Sequence, residues 1–224
     1  MEEYLLKAEP VAEGSLYFTY GNPLMLRAKE RAKTFPDTHC IEADLKMCAS
    51  LGSHQLVAEE TISNDGSNGN VILTQDGVEI YRIATGPGSP VNALRGLWVY
   101  DGHWALEAAK ISETQQGNAI TVNAVGQIIV DGKILNESLG YEEAFGFQTL
   151  NGRPFYFFKR NGKIGASYDG VEIPLAYDQV PHYGCCSMGT LNPRTYQDMV
   201  EFLAAKDGNW YYVEIGVFGQ VGRN

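Results

Sequence analysis

Cysteine is scarce, four residues in 224, too few for a scaffold built on disulfides. Basic side chains are outnumbered, 17 Lys and Arg against 27 Asp and Glu, which leaves a net charge of −10. Such a field repels phosphate backbones and anionic lipid, so neither nucleic acid nor a membrane surface is expected as a partner. No apolar run approaches the roughly 18 residues of a membrane span. The opening MEEYLLKAEP has no basic n-region, and the expected location is the cytoplasm. Catalytic signatures are missing too: there is no Ser-His-Asp order, no H-E-x-x-H and no dinucleotide fingerprint. The excess lies in glycine, 25 residues, accompanied by 13 Tyr, 9 Phe and 3 Trp. That combination points to many short strands joined by tight turns.

Four segments share an apolar run, a turn glycine and an aliphatic residue three positions later: GSLYFTYGNPL, GNVILTQDGVEI, GQIIVDGKIL and GKIGASYDGVEI. Their glycines are Gly21, Gly77, Gly132 and Gly170, and Asp76, Asp131 and Asp169 precede the last three. A second pattern falls between them, MCASLGSHQLVAEE, LWVYDGHWALEAA, FQTLNGRPFYFF and FLAAKDGNWYYVEI, with turn glycines Gly52, Gly102, Gly152 and Gly208. Asp101, Asn151 and Asp207 stand before three of these. Asp-Gly or Asn-Gly between strand-forming flanks signals a type I′ hairpin, whose central residues both need positive φ. Two hairpins per repeat, used four times, give repeats at approximately 14–62, 69–110, 120–160 and 162–218 within a single β domain spanning 1–224.

A lone four-stranded sheet this apolar leaves one face wet, so the units must stack. Radial stacking of meanders of about 50 residues is the β-propeller. The expected fold is all-β, a four-bladed propeller; five blades and a β-sandwich or barrel are the alternatives. Asn192-Pro193 is a helix-start signal, and Tyr196, Met199, Val200 and Leu203 follow at helical spacing, so a short helix is expected there. Ser89-Pro90 carries the same start signal. Leu24 to Lys33 reads as a strand running into a basic loop, and Ser63 to Asn70 as a turn-rich connector between repeats.

The run KRNGKIGASYDGVEIPLAYDQV, Lys159 to Val180, resembles the WG-type bacterial repeat. Lys163, Gly165, Asp169, Gly170, Glu172, Ile173, Pro174, Tyr177 and Asp178 fall in step with that pattern, while Ile164 stands where its tryptophan belongs. The resemblance implies a repeat protein that mediates binding, and it supplies no catalytic residue.

The most unusual stretch is HYGCCSMGT, His182 to Thr190. It lies between the two hairpins of the last repeat, where the third repeat has no counterpart. Insertions in repeat proteins map to loops on one face, often the binding face. His182, Tyr183, Cys185 and Cys186 are therefore the first candidates for a binding site. They supply at most three metal ligands, and adjacent thiols converge poorly. Neither a metal nor another cofactor is expected, and packed single thiols are the plain reading of the cysteines. Two residues after the second-pattern glycines stand His54, Trp104, Pro154 and Trp210. Repeat-equivalent rings offer stacking surfaces, which adds Trp104 and Trp210 to the candidates. Glu59-Glu60 and Glu142-Glu143 read as surface carboxylates, and Asn64, Asp65, Ser67 and Asn68 as a solvated loop. The function expected is a non-enzymatic binding or protein-interaction module. The alternative is a hydrolase or lyase with its site in the axial channel.

Overall fold

The computed structural model describes residues 1–6, 46–89, 92–117, 119–184, 192–196 and 198–216. Of these, 71% are in strands. Gly21, Leu24 to Lys33, Cys40, Cys185 and Cys186 lie outside the described residues. The chain enters as β1 (Glu2–Leu5). A first antiparallel sheet follows from β2 (Lys46–Leu51), β3 (His54–Ile62), β4 (Gly69–Gln75) and β5 (Val78–Gly86). The second holds β6 (Leu94–Tyr100), β7 (His103–Gln116), β8 (Ala119–Val130) and β9 (Lys133–Ile134). The third holds β10 (Glu143–Leu150), β11 (Arg153–Arg160), β12 (Lys163–Tyr168) and β13 (Val171–Tyr177). In the fourth, β14 (Arg194–Thr195), β15 (Met199–Lys206) and β16 (Asn209–Gly216) are joined by β1, in the order β1-β16-β15-β14.

These elements fall into two compact units. One comprises the described residues within Met1–Pro36, Gln148–Phe155 and Gly162–Asn224; the other those within Asp37–Phe147 and Tyr156–Asn161.

The turns follow the chemistry expected of them. Asp76 and Gly77 have φ of 50° and 80°, and Asp101 and Gly102 have 45° and 79°. Positive φ recurs at Asp131-Gly132, Asn151-Gly152, Asp169-Gly170 and Asp207-Gly208. The sheets, however, cut the sequence at other points than the repeats do. Each of the first three opens with a second-pattern hairpin and closes with a first-pattern one, so the repeats are phased half a unit late. Hairpin spacing alone is blind to phase; only pairing fixes it.

A recurrent clamp ties the two turns of a sheet. In the first, the Gln55 N–H donates to Asp76 Oδ1 and the Asp76 N–H returns to the Gln55 carbonyl, both at 2.9 Å. His54 Nδ1 lies 2.5 Å from Asp76 Oδ2. The His54 bond first, and then the Gln55 amide, hold the Asp76 carboxyl below its ordinary value. Trp104 and Asp131 repeat the exchange at 3.1 and 3.2 Å, with His103 Nδ1 at 2.5 Å. In the third sheet Pro154 has no N–H to give, so only the Asp169 N–H to Pro154 carbonyl bond remains, at 2.8 Å, with Arg153 3.8 Å from Asp169.

Successive sheets of the second unit are tied by buried carboxylates. Glu60 on β3 is 6% exposed and accepts from the Leu94 N–H of β6 at 3.0 Å. Glu107 on β7 accepts from Gly146 N–H at 3.0 Å and Phe147 N–H at 2.6 Å. Adjacent strand amides normally point opposite ways. Gly146, at φ 66°, lets both turn toward one carboxylate. Glu60 is thus not the surface residue expected, because it lies in line with buried Leu56 and Ala58.

The helix expected after Asn192-Pro193 is strand β15. Met199 to Ala204 are all buried, and a short apolar run reads alike as buried strand or helix. No described residue between Ser89 and β6, which begins at Leu94, is helical. The one helix among the described residues, α1 (Leu135–Leu139), was not anticipated. It stands where the last strand of the second sheet would continue. Asn136 there substitutes for the missing ladder, its amide donating to Gly126 O at 2.9 Å and accepting from Ile128 N–H at 3.3 Å. No described helix is long and apolar enough to cross a membrane.

Gly102→Val forces a β-branched residue into left-handed backbone and should lower stability by about 1–2 kcal/mol. The check is the denaturation midpoint at unchanged slope; a midpoint equal to the parent's contradicts the turn.

Candidate functional site

The fourth sheet gathers polar side chains on one face. Directly paired residues of antiparallel strands share a face, and here Arg194 pairs with Glu201, Glu201 with Glu214, and Glu214 with Glu2. One row across four strands therefore carries an arginine and three glutamates. The next row holds Leu203, Tyr212 and Tyr4, packed together with Leu6.

Glu201 and Glu214 are both 0% exposed, so their carboxylates need partners within the protein. Tyr196 OH donates to Glu201 Oε1 at 2.8 Å. Tyr212 OH lies 2.7 Å from Glu201 Oε2 and 3.0 Å from Glu214 Oε1. Burial, and then the charges of Glu201 and Glu214, hold the Tyr212 hydroxyl far above its ordinary value. The same causes, with Glu201 alone, raise Tyr196.

Asn192 fixes the approach to this cluster. Its amide donates to Leu203 O at 3.0 Å and to Pro181 O at 2.7 Å, and its Oδ1 accepts from Leu203 N–H at 2.7 Å. The connection between β13 and β14 is thus stapled at its root to β15. Asp178 adds a second anchor, its N–H donating to Ala205 O and its Oδ2 accepting from Asp207 N–H, both at 2.8 Å. Lys163 pairs with Asp178 Oδ1.

His182 and Tyr183 stand on that stapled connection. Their rings meet edge to face at 4.5 Å, and His182 Nδ1 donates to Val180 O at 2.7 Å. Tyr183 is buried at φ 56°. Cys185 and Cys186 lie outside the described residues. Trp210 is half-buried on β16, and its carbonyl accepts from the Leu6 N–H at 2.8 Å. Trp104 belongs to the other unit, buried on β7 with its ring 5.9 Å from Tyr81. The expected ring of four is misaligned by one residue. Gly52 is the first residue of its turn, whereas Gly102, Gly152 and Gly208 are the second. Gln55, not His54, is therefore the counterpart of Trp104, and His54 matches His103.

Asp65 shows how a loop carboxylate is consumed locally. The Ser63 hydroxyl, Ser67 N–H and Ser67 hydroxyl converge on its Oδ1 at 2.6, 3.0 and 2.8 Å and pull its pKa to about 2. Among the described residues no group of three or more His, Cys, Asp or Glu could hold a metal ion. Cys48 is disulfide-bonded, so the reading of the cysteines as packed single thiols does not hold there. Its partner lies outside the described residues.

Glu201 and Glu214 of the fourth sheet were not singled out in the sequence, and Tyr196 was read there only as part of a helix. The available signal is a Glu inside each of two apolar runs, MVEFLAA and YYVEI, which marks a buried carboxylate once both are taken as strands.

Tyr212→Phe removes the hydroxyl from between two buried carboxylates and should cost about 1.5–3 kcal/mol, the range for hydrogen bonds to charged groups. Tyr168→Phe, which removes only a long 3.5 Å contact to Leu150 O, should change stability by about 0.5 kcal/mol or less. Equal losses from the two, read by urea denaturation, contradict the cluster's role.

No family model, curated protein or solved structure matches this chain, and the reading of the site rests on its own geometry.

Proposed function

We propose that the four sheets are the blades of a four-bladed β-propeller and that the protein is a non-enzymatic binding module. Its contact surface is the connection between β13 and β14, with His182, Tyr183, Cys185 and Cys186, and Trp210 on β16. The observation that carries this reading is the staple of Asn192 on Pro181 and Leu203. A segment much longer than the Gly140–Glu142 connection is held at its root on a rigid scaffold, and connections positioned by such scaffolds are where binding residues concentrate.

Two further observations support it. The paired carboxylates Glu201 and Glu214, the natural acid and base for a hydrolase or lyase, are fully buried and engaged by tyrosine hydroxyls. The resemblance of Lys159 to Val180 to the WG-type repeat points to binding as well. Trp104 takes part as an anchor between strands: its backbone serves the Asp131 clamp and its ring rests on Tyr81.

The test is a screen of the purified chain against arrays of neutral oligosaccharides and short peptides, read for binding and, by mass spectrometry, for turnover. The expected result is a bound class whose affinity falls about tenfold or more in Tyr183→Ala, the loss typical of a hot-spot aromatic. Binding indifferent to His182→Ala and Tyr183→Ala, or conversion of the probe into products, contradicts the proposal.

A further inference from the structure

One hairpin of the second sheet outgrows its counterparts. β7 and β8 run 14 and 12 residues, whereas β3, β11 and β15, the strands in the place of β7, have 9, 8 and 8. The excess carries β7 and β8 past their flanks. β6 reaches no further than Leu94 opposite Ala108, and β9 meets β8 only at Ile129 and Val130. From Ser112 to Gln116, paired with Asn123 to Ala119, the ribbon is two strands wide among the described residues. A two-stranded ribbon is marginal in water, and a third strand is what stabilises it.

The outward backbone groups follow from the ladder. The Ala109 N–H donates to Ala93 O, and the N–H of its partner Gly126 donates to Glu143 Oε1, so this pair points away from the ribbon. Outward pairs recur every second residue. Ile120, Val122 and Ala124 on β8 therefore point outward, as do Glu113 and Gln115 on β7. Asn136 takes up the edge of β8 at Gly126 and Ile128, and beyond it no described strand continues the ladder.

Open strand edges are normally blunted by charge, proline or a bulge. β5, which closes the first sheet, has Glu79, Arg82 and a register shift between Leu73 and Thr74. β13, which closes the third, has Glu172, Pro174 and a shift between Ile164 and Ala166. The β8 stretch Ala119 to Val125, AITVNAV, has none of these, and its register with β7 is unbroken. Ile120 is 63% exposed, and Thr121 and Asn123 are exposed as well.

We infer that β8 is the contact of a symmetric dimer, in which two copies of this chain pair β8 with β8, antiparallel about Val122. The register closes on itself, as a two-fold contact requires. Val122 faces Val122 of the second copy, Ile120 faces Ala124, and Thr121 faces Asn123. The outward N–H and C=O groups of residues 120, 122 and 124 then exchange hydrogen bonds across the axis. Charge selects this edge. Two bodies of net charge −10 repel, and an uncharged strand lets them meet. Pairing the β7 edges about Glu113 would set that carboxylate against its own copy. In the β8 dimer the two Glu113 residues stand three strand spacings apart, about 14 Å, beyond the Debye length of about 8 Å.

Sedimentation equilibrium of the full chain, from about 1 μM to about 1 mM, tests this. The mass should rise with concentration from 24.7 kDa toward twice that value. Val122→Pro removes an N–H that β7 does not use and should weaken dimerisation by about tenfold or more. Val78→Lys, on the edge of β5, should leave it unchanged. A chain monomeric throughout overturns the inference, as does a dimer that survives Val122→Pro or is lost in Val78→Lys. Should Val122→Pro fail to fold, Val122→Lys decides: two like charges meet on the axis, and an unweakened dimer overturns the proposal. A chain that stays monomeric yet binds an uncharged synthetic strand peptide overturns it too, in favour of a foreign strand.

Discussion

The pairing of the chain's two ends in one sheet is the constraint from which the first unit takes its form. Glu2 opposite Glu214 and Tyr4 opposite Tyr212 close the edge of a hairpin whose inner residues, from Phe202 to Ala204 and Val213, are almost wholly buried. Without β1, β16 would present a row of unpaired N–H and C=O groups beside an apolar core, the kind of edge that recruits other chains. The opposite face shows the same dependence. Tyr177 on β13 is fully buried against Phe202 and Tyr211 and sends its hydroxyl to Glu3. Burial, and then that bond to Glu3, hold its proton far above the ordinary phenol value.

In the second unit, carboxylates take the place of strand pairing. Where one sheet ends and the next begins, the first strand of the new sheet is paired on one side only, and a buried amide on its other edge without a partner costs about 1–3 kcal/mol. Glu60 meets that need at Leu94, and Glu107 at Gly146 and Phe147. Glu143 does the same for Gly126 across to β8, at 2.9 Å. Around these bonds Trp98, Tyr100, Phe147 and Tyr156 form an aromatic layer. Gly96 belongs to it by necessity: a Cβ there would stand 1.7 Å from the Trp98 ring. Apolar packing supplies the bulk of the burial, while the carboxylates fix which strand meets which.

The turns were the most legible part of this molecule because their chemistry is local. Asp-Gly needs only its own backbone to declare a type I′ hairpin, and Asp76, Asp101, Asp131, Asp169 and Asp207 all adopt it. Phase, strand identity and carboxylate roles are decided by partners distant in sequence, and these were misread. Gly77 looks the same whether its hairpin opens or closes a sheet. MVEFLAA serves a helix or a doubly buried strand equally well, until Tyr212 across the sheet requires a partner at Glu201. At the candidate site, HYGCC was visible as an oddity, but the Asn192 side chain that roots it binds backbone atoms of Pro181 and Leu203, partners that leave no compositional trace. The disulfide at Cys48 was not foreseen from a count of four cysteines. Disulfides persist mainly in oxidising compartments, and this bond is the structural feature that bears most directly on where the protein resides.

The account stands on the N-terminal strand lying beside β16, and solution NMR addresses that without any substitution. Cross-strand nuclear Overhauser effects should link Tyr4 to Tyr212 and the Leu6 amide to Trp210, with Glu2 to Leu5 showing extended-strand chemical shifts. Random-coil shifts for those residues, with no cross-peak to β16 while the hairpin of β15 and β16 keeps its own, would contradict it.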